Sequence, residues 1–113
     1  MSETTRDELL QGTLDMLVLK AAELGPMHGW GITERLLAGS ARILQVGQGS
    51  LYPALYRLER QGFLTSYWKL TENNRRARYY ALSPTGRKRL AEERANWERV
   101  SRAVNAVLRM KPA

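Results

Sequence analysis

The chain has 113 residues, 43% hydrophobic and 26% charged, the composition of one ordinary globular domain with a modest core rather than of a disordered tail. It has no cysteine and a single histidine, which excludes disulfides, thiolate zinc sites, thiol redox chemistry, a cysteine nucleophile and a histidine-rich metal centre. A net charge of +7 and a pI near 10.2 favour polyanionic partners, nucleic acid first and an anionic membrane surface second.

Apolar residues at positions 10, 14, 17, 18, 21 and 24 recur with the helical period and predict a first helix over residues 8–24. Gly25-Pro26 ends it, because proline disfavours helical geometry in the residue before it. The apolar stretch 14–24 is broken by Asp15, Lys20 and Glu23 and is too short and polar to cross a bilayer. The opening segment MSETTRDELL lacks a charged region followed by an apolar run, so no secretory signal is expected and the cytoplasm is the expected location.

A second helix is expected over residues 28–38, with Ile32, Leu36 and Leu37 as its apolar face and Gly39-Ser40 as its end. His28 has no acidic partner in a motif and opens this helix as a structural residue. Residues 43–46 read as a brief extended segment before a turn at 47–49. The third helix is expected to begin at Ser50 as N-cap, with Pro53 tolerated in the first turn and Gly62 as the residue that closes it. On a helical wheel Leu51, Leu55 and Leu58 share one face. Pro53, Tyr56, Arg57 and Arg60 lie opposite, flanked by Ser50 and Tyr52.

Two β-prone runs, 63–70 and 78–83, surround the polar segment 71–77 and predict a hairpin with Asn73-Asn74 near its tip. Arg75, Arg76 and Arg78 fall at that tip, and Lys69 lies on the incoming strand. Tyr79 and Tyr80 alternate, so one faces the core. Trp68 is expected to pack against the wing or a neighbouring helix. Ser83-Pro84 opens a last helix reaching about Leu108. On it Leu90, Trp97 and Val104, and again Val100 and Val107, are spaced by seven residues, a heptad seam suited to a partner helix.

The expected order is helix, helix, short strand, helix, hairpin, helix. This is a mainly α fold with a small β-hairpin, a winged helix-turn-helix over residues 1–83 with a long C-terminal dimerisation helix over 84–113 that packs with the same domain. A basic helix alone is equally well an amphipathic helix with a solvated face. A basic hairpin a dozen residues later turns the balance towards DNA, gripped by the helix in the major groove and by the wing beside it. An enzyme lacks support, since neither a metal cluster nor a phosphate-binding glycine loop is present and no catalytic residue or cofactor is implied. A membrane-surface module would gather its cations on one long amphipathic helix, whereas here they divide between a short helix and a hairpin. RNA remains an alternative polyanion.

The segments GTLDMLVLKAAELGPMHGWGI (12–32), GSLYPALYRLERQGFLTSYW (49–68) and ENNRRARYYALSPTGRKRL (72–90) resemble those of PadR-type transcriptional regulators, of the short kind with one C-terminal helix. Trp30 stands where the family usually has tyrosine, and Tyr67 where an acidic residue is common. The resemblance implies a homodimeric repressor on pseudo-palindromic operator DNA. By that resemblance Ser50, Tyr52, Pro53 and Tyr56 would face the major groove and Arg75, Arg76 and Arg78 would belong to the wing; the residues themselves add Arg57, Arg60 and Lys69 as further DNA contacts, the helix arginines to phosphate. A two-fold dimer through Leu90, Trp97, Val100, Val104 and Val107 would set two recognition helices roughly 34 Å apart. The resemblance also suggests a small planar aromatic effector held between paired Trp97 side chains, against the simpler reading of Trp97 as an interface anchor.

Overall fold

The computed structural model describes residues 3–113, with side chains from Thr13 onward, so Leu10 of the expected first stripe lies outside the described side chains. The elements are α1 (Glu3–Glu23), β1 (Met27–His28), α2 (Gly29–Gly39), α3 (Gln48–Arg60), β2 (Leu64–Leu70), β3 (Arg76–Leu82) and α4 (Pro84–Leu108).

The described part of the α1 stripe is buried at Leu14, Val18 and Ala21, together with Leu19 and Ala22. Leu24, expected on that stripe, is 64% exposed because the helix ends one residue earlier. Arg35 of α2 reaches back to this end, its Nη1 donating to the carbonyls of Ala21 (2.8 Å) and Gly25 (2.6 Å). A cation is thereby placed on carbonyls that the helix leaves unpaired. His28 caps α2 as expected: its Nδ1 accepts from the Gly31 amide at 3.0 Å. Ile32 and Leu36 enter the core and Leu37 is half-buried.

The short strand is not where the sequence pattern put it. Residues 43–46 form no strand, whereas Met27–His28 pairs antiparallel with Tyr80 and Tyr79. A strand needs a neighbour, and the free edge of β3 is reached from the Gly25-Pro26 turn. After α2 the chain turns through two left-handed residues, Ala41 (φ 54°) and Arg42 (φ 67°). Val46 then drops into the core while Ile43 stays exposed.

The start of α3 also differs. Gly47, not Ser50, is the N-cap, and the amides of Ser50 and Leu51 both donate to its carbonyl, at 3.1 and 3.0 Å. Pro53 therefore sits beyond the first turn, where it has no N–H to donate to the Gly49 carbonyl. The end of α3 follows expectation. Gly62 (φ 83°) takes the left-handed conformation, its amide bonds to Glu59 and that of Phe63 to Leu58, the two bonds of a Schellman cap.

Strands β2 and β3 pair from Leu64↔Leu82 to Leu70↔Arg76, and β3 is central in a sheet ordered β1-β3-β2. The tip is shorter than the expected 71–77. Thr71 accepts from the Asn74 amide and donates to Arg75, with Asn74 left-handed. Arg76 and Arg78 are thus strand residues, and of the three wing arginines Arg75 alone lies in the turn. Ser83 caps α4 through a 2.9 Å bond from the Gly86 amide, with Pro84 in the first helical position.

Leu14, Val18, Ile32, Leu51, Leu55, Leu58, Leu64, Tyr80 and Leu90 meet in one core. Leu90, assigned by its spacing to an intersubunit seam, is buried inside its own domain. The remainder of α4 carries exposed Trp97 (47%), Val100 (42%), Val104 (50%) and Val107 (62%). A helix of this length spans about 38 Å, and it stretches the molecule to 63 Å along its long axis. Three helices backed by a β wing, with α4 running on beyond them, form a winged helix-turn-helix.

Candidate nucleic-acid interface

Helix α3 has two chemically distinct faces. Leu51, Ala54, Leu55 and Leu58 are buried, whereas Pro53, Tyr56 and Arg60 are exposed and Ser50, Tyr52 and Arg57 are half-buried. Tyr52 leans on the start of α2, its hydroxyl so near Gly29 that a Cβ there would lie 2.6 Å from it. Tyr52 and Tyr56 line one wall of an open groove, Trp30 and Glu34 of α2 another, and Trp68 and Arg76 of the wing the third. Tyr52, Tyr56, Arg75, Arg76 and Arg78 therefore border one concave surface, whereas Ser50, Pro53, Arg57, Arg60 and Lys69 are outside its lining.

Alternation along the hairpin decides what each wing residue meets. Ser66, Trp68 and Leu70 share a face with Tyr80, Arg78 and Arg76. There the guanidinium carbons of Arg76 and Arg78 lie 4.9 and 6.0 Å from the Trp68 ring centre. Glu59 of α3 accepts from Arg78 Nη2 at 3.1 Å and from the Ser66 hydroxyl at 2.5 Å, and Arg78 Nε also donates to Ser66 at 2.8 Å. Trp68 is thus covered by wing arginines and remains 55% exposed. On the opposite face Tyr67 stacks on Tyr79 at 6.0 Å, Lys69 lies over the Tyr79 ring, and the His28 ring meets its edge.

The cations differ in what already holds them. Arg57 is paired with Asp15 of α1 at 2.6 Å and Arg78 with Glu59. Among the described residues no carboxylate lies within ion-pair distance of Arg60, Lys69, Arg75 or Arg76. Of these four exposed charges Arg75 and Arg76 line the groove, whereas Arg60 and Lys69 lie outside its lining, and all four are left for a polyanion. Sequence reasoning missed Asp15 and Glu59. The available signal was that Glu59 is the one acid in an otherwise basic helix.

A second surface lies between α1 and α4, where Met16, Leu17, Leu90, Ala91 and Trp97 line an apolar cleft edged by Lys20 and Arg94. Its apolar character continues along α4 through the exposed valines. Among the described residues, no cluster of three His, Asp or Glu side chains could hold a metal, and no helix is long and apolar enough to cross a membrane.

The model of the PadR-like family of transcriptional regulators matches residues 18–92. A transcriptional regulator of Mycobacterium tuberculosis is 33% identical over 97 residues, covering 86% of this chain and 87% of that protein. Among solved structures, a PadR family transcriptional regulator from Eggerthella lenta is 30% identical with a TM-score of 0.79, over 96% of this chain and 93% of that one. A transcriptional regulator from Clostridium thermocellum superposes with the same TM-score at 25% identity, over 88% of this chain and 96% of that one.

Proposed function

The chain belongs to the PadR-like family of transcriptional regulators, which bind DNA and are not enzymes, and on that premise we propose that it is a homodimeric repressor of a pseudo-palindromic operator. The observation that carries the reading is the shared groove. Tyr52 and Tyr56 of α3 border the same surface as Arg75 and Arg76 of the wing, with Ser50 and Pro53 on the same helix, and Arg60, Lys69, Arg75 and Arg76 lack carboxylate partners among the described residues. In this reading α3 enters the major groove, the tyrosines meet base edges or thymine methyls, and the cations hold phosphates. Arg57 and Arg78 contribute less, because each is already paired with a carboxylate.

The dimer rests on α4. Trp97, Val100, Val104 and Val107 are spaced three, four and three residues apart, the a/d spacing of a helix-to-helix seam, and all four are exposed. Burying them against a second copy removes apolar surface from water and sets two recognition helices on one face of a duplex. A small planar aromatic compound between the paired Trp97 side chains would be the effector that releases DNA. On this reading the protein works on DNA in the cytoplasm.

The test is the salt dependence of duplex binding. A dimer contacting about eight phosphates gives a slope of log affinity against log salt near −7. Selection of bound fragments from random DNA should return an inverted repeat. Binding that ignores salt, or selected fragments without two-fold symmetry, would overturn the reading. For the effector, planar aromatic compounds should quench tryptophan fluorescence in the parent protein and not in Trp97→Ala. Equal quenching in both would remove Trp97 from that role.

A further inference from the structure

We propose that Trp68 is a positioning residue for DNA binding: its indole face holds the Arg76 guanidinium aimed at a backbone phosphate, and Glu59 fastens this unit to the recognition helix through Arg78. The inference rests on the DNA-binding reading above and adds to it a role for two residues that touch no base.

The geometry is a chain of contacts running from α3 out along the wing. It begins at the Glu59 carboxylate, which takes hydrogen bonds from Ser66 of β2 and Arg78 of β3 and so ties both strands to the helix. The Arg78 guanidinium, fixed at that end, lies over the Trp68 ring. Trp68 is the direct cross-strand partner of Arg78, and Arg76 is two residues further along the same face. The Arg76 guanidinium closes over the same ring at 4.9 Å. Arg78 has a carboxylate partner; among the described residues Arg76 has none, and its charge is left for an external anion.

Trp68 is a large side chain left more than half exposed on a narrow hairpin, which needs a reason. An arginine on a free strand samples many rotamers and loses that freedom when it grips a phosphate. A ring beneath the guanidinium restricts it beforehand, and a guanidinium lying flat on a ring keeps its edge N–H donors for an anion. Lysine would not serve equally, since it lacks the planar face that stacks.

The experiment measures binding of the full-length protein to a fluorescein-labelled random-sequence duplex across a salt series, because a phosphate contact acts on any sequence. Arg76→Ala should weaken binding about tenfold and reduce the slope by about one per protomer. Trp68→Ala should lower both quantities in the same direction, by about fivefold in affinity, while Trp68→Phe, which keeps a ring face, should recover most of the loss. In an Arg76→Ala background Trp68→Ala should change little. Losses that multiply in the double variant, or a Trp68→Phe protein that is folded by thermal melting yet as weak as Trp68→Ala, would overturn the proposal. A parent protein that fails to bind the duplex even at low salt would remove the DNA reading itself and this inference with it.

Discussion

Gly86 packs directly against the backbone carbonyl of Phe63, so closely that a Cβ at position 86 would overlap its oxygen. This contact seats the first turn of α4 on the junction where α3 ends and β2 begins. Ser83 and Thr85 hydroxyls both donate to the neighbouring Gly62 carbonyl, at 2.6 and 2.8 Å. Gly86→Ala is expected to destabilise the fold by about 3 kcal/mol, because rigid backbone has to move. Ser83→Ala, which removes the cap and one bond to Gly62, should cost about 1 kcal/mol. Urea unfolding separates the two, and equal small losses would mean that the junction yields.

The cations of α3 should not be equivalent. Arg60 is exposed and has no acid beside it among the described residues, whereas Arg57 is held by Asp15 across the α1–α3 interface. Arg60→Ala is therefore expected to weaken duplex binding more than Arg57→Ala. Asp15→Asn, which releases the Arg57 charge, should strengthen non-specific binding and steepen its salt dependence. The pair is more than a third exposed on both sides, so stability should change by only about 0–1 kcal/mol in either variant. Fluorescence anisotropy and thermal melting on the same proteins test both halves.

The sequence carried the order of helices and the wing because those features are local. The stripe of α1, the His28 cap, the Gly62 stop and the Ser83-Pro84 start each depend on a few adjacent residues. What it could not carry was set by partners distant in the chain. Met27–His28 is a strand only because the edge of β3 lies beside it, and nothing in its two residues announces that. The start of α3 at Gly47 is a backbone preference that overrides the better side-chain cap at Ser50. For the interface, the cations were legible as a set, but which of them are spoken for was not. Asp15 is 42 residues from Arg57 and Glu59 is 19 from Arg78. Leu90 shows the same limit, since its heptad spacing is compatible with a seam and with a core, and packing chose the core.

That distinction predicts opposite phenotypes along one helix. Leu90→Ala removes a buried side chain from the domain and should lower its stability by about 2–4 kcal/mol. Val104→Asp alters an exposed position, so the monomer fold should persist while the dimer is lost. Light scattering should then report a monomer for Val104→Asp, with helical circular dichroism retained and duplex affinity greatly reduced. A dimeric Val104→Asp protein would remove the seam from the assembly.

Tyr80 gives the fold a pH dependence of predictable sign. The residue is 2% exposed in the central strand, and burial raises its phenol above the usual value of 10.0 because the phenolate would be stripped of water. Arg78 opposes that shift and Glu59 adds to it. Below about pH 10 the phenol is protonated in both the folded and unfolded chain, so it contributes no slope. Above that value the unfolded chain releases a proton that the folded chain retains, and stability falls as pH rises through the gap between the two. Tyr80→Phe has no such proton to release. Its urea midpoint should decline less between about pH 9 and about pH 11 than that of the parent protein. Parallel declines in the two proteins would show that the alkaline loss arises elsewhere.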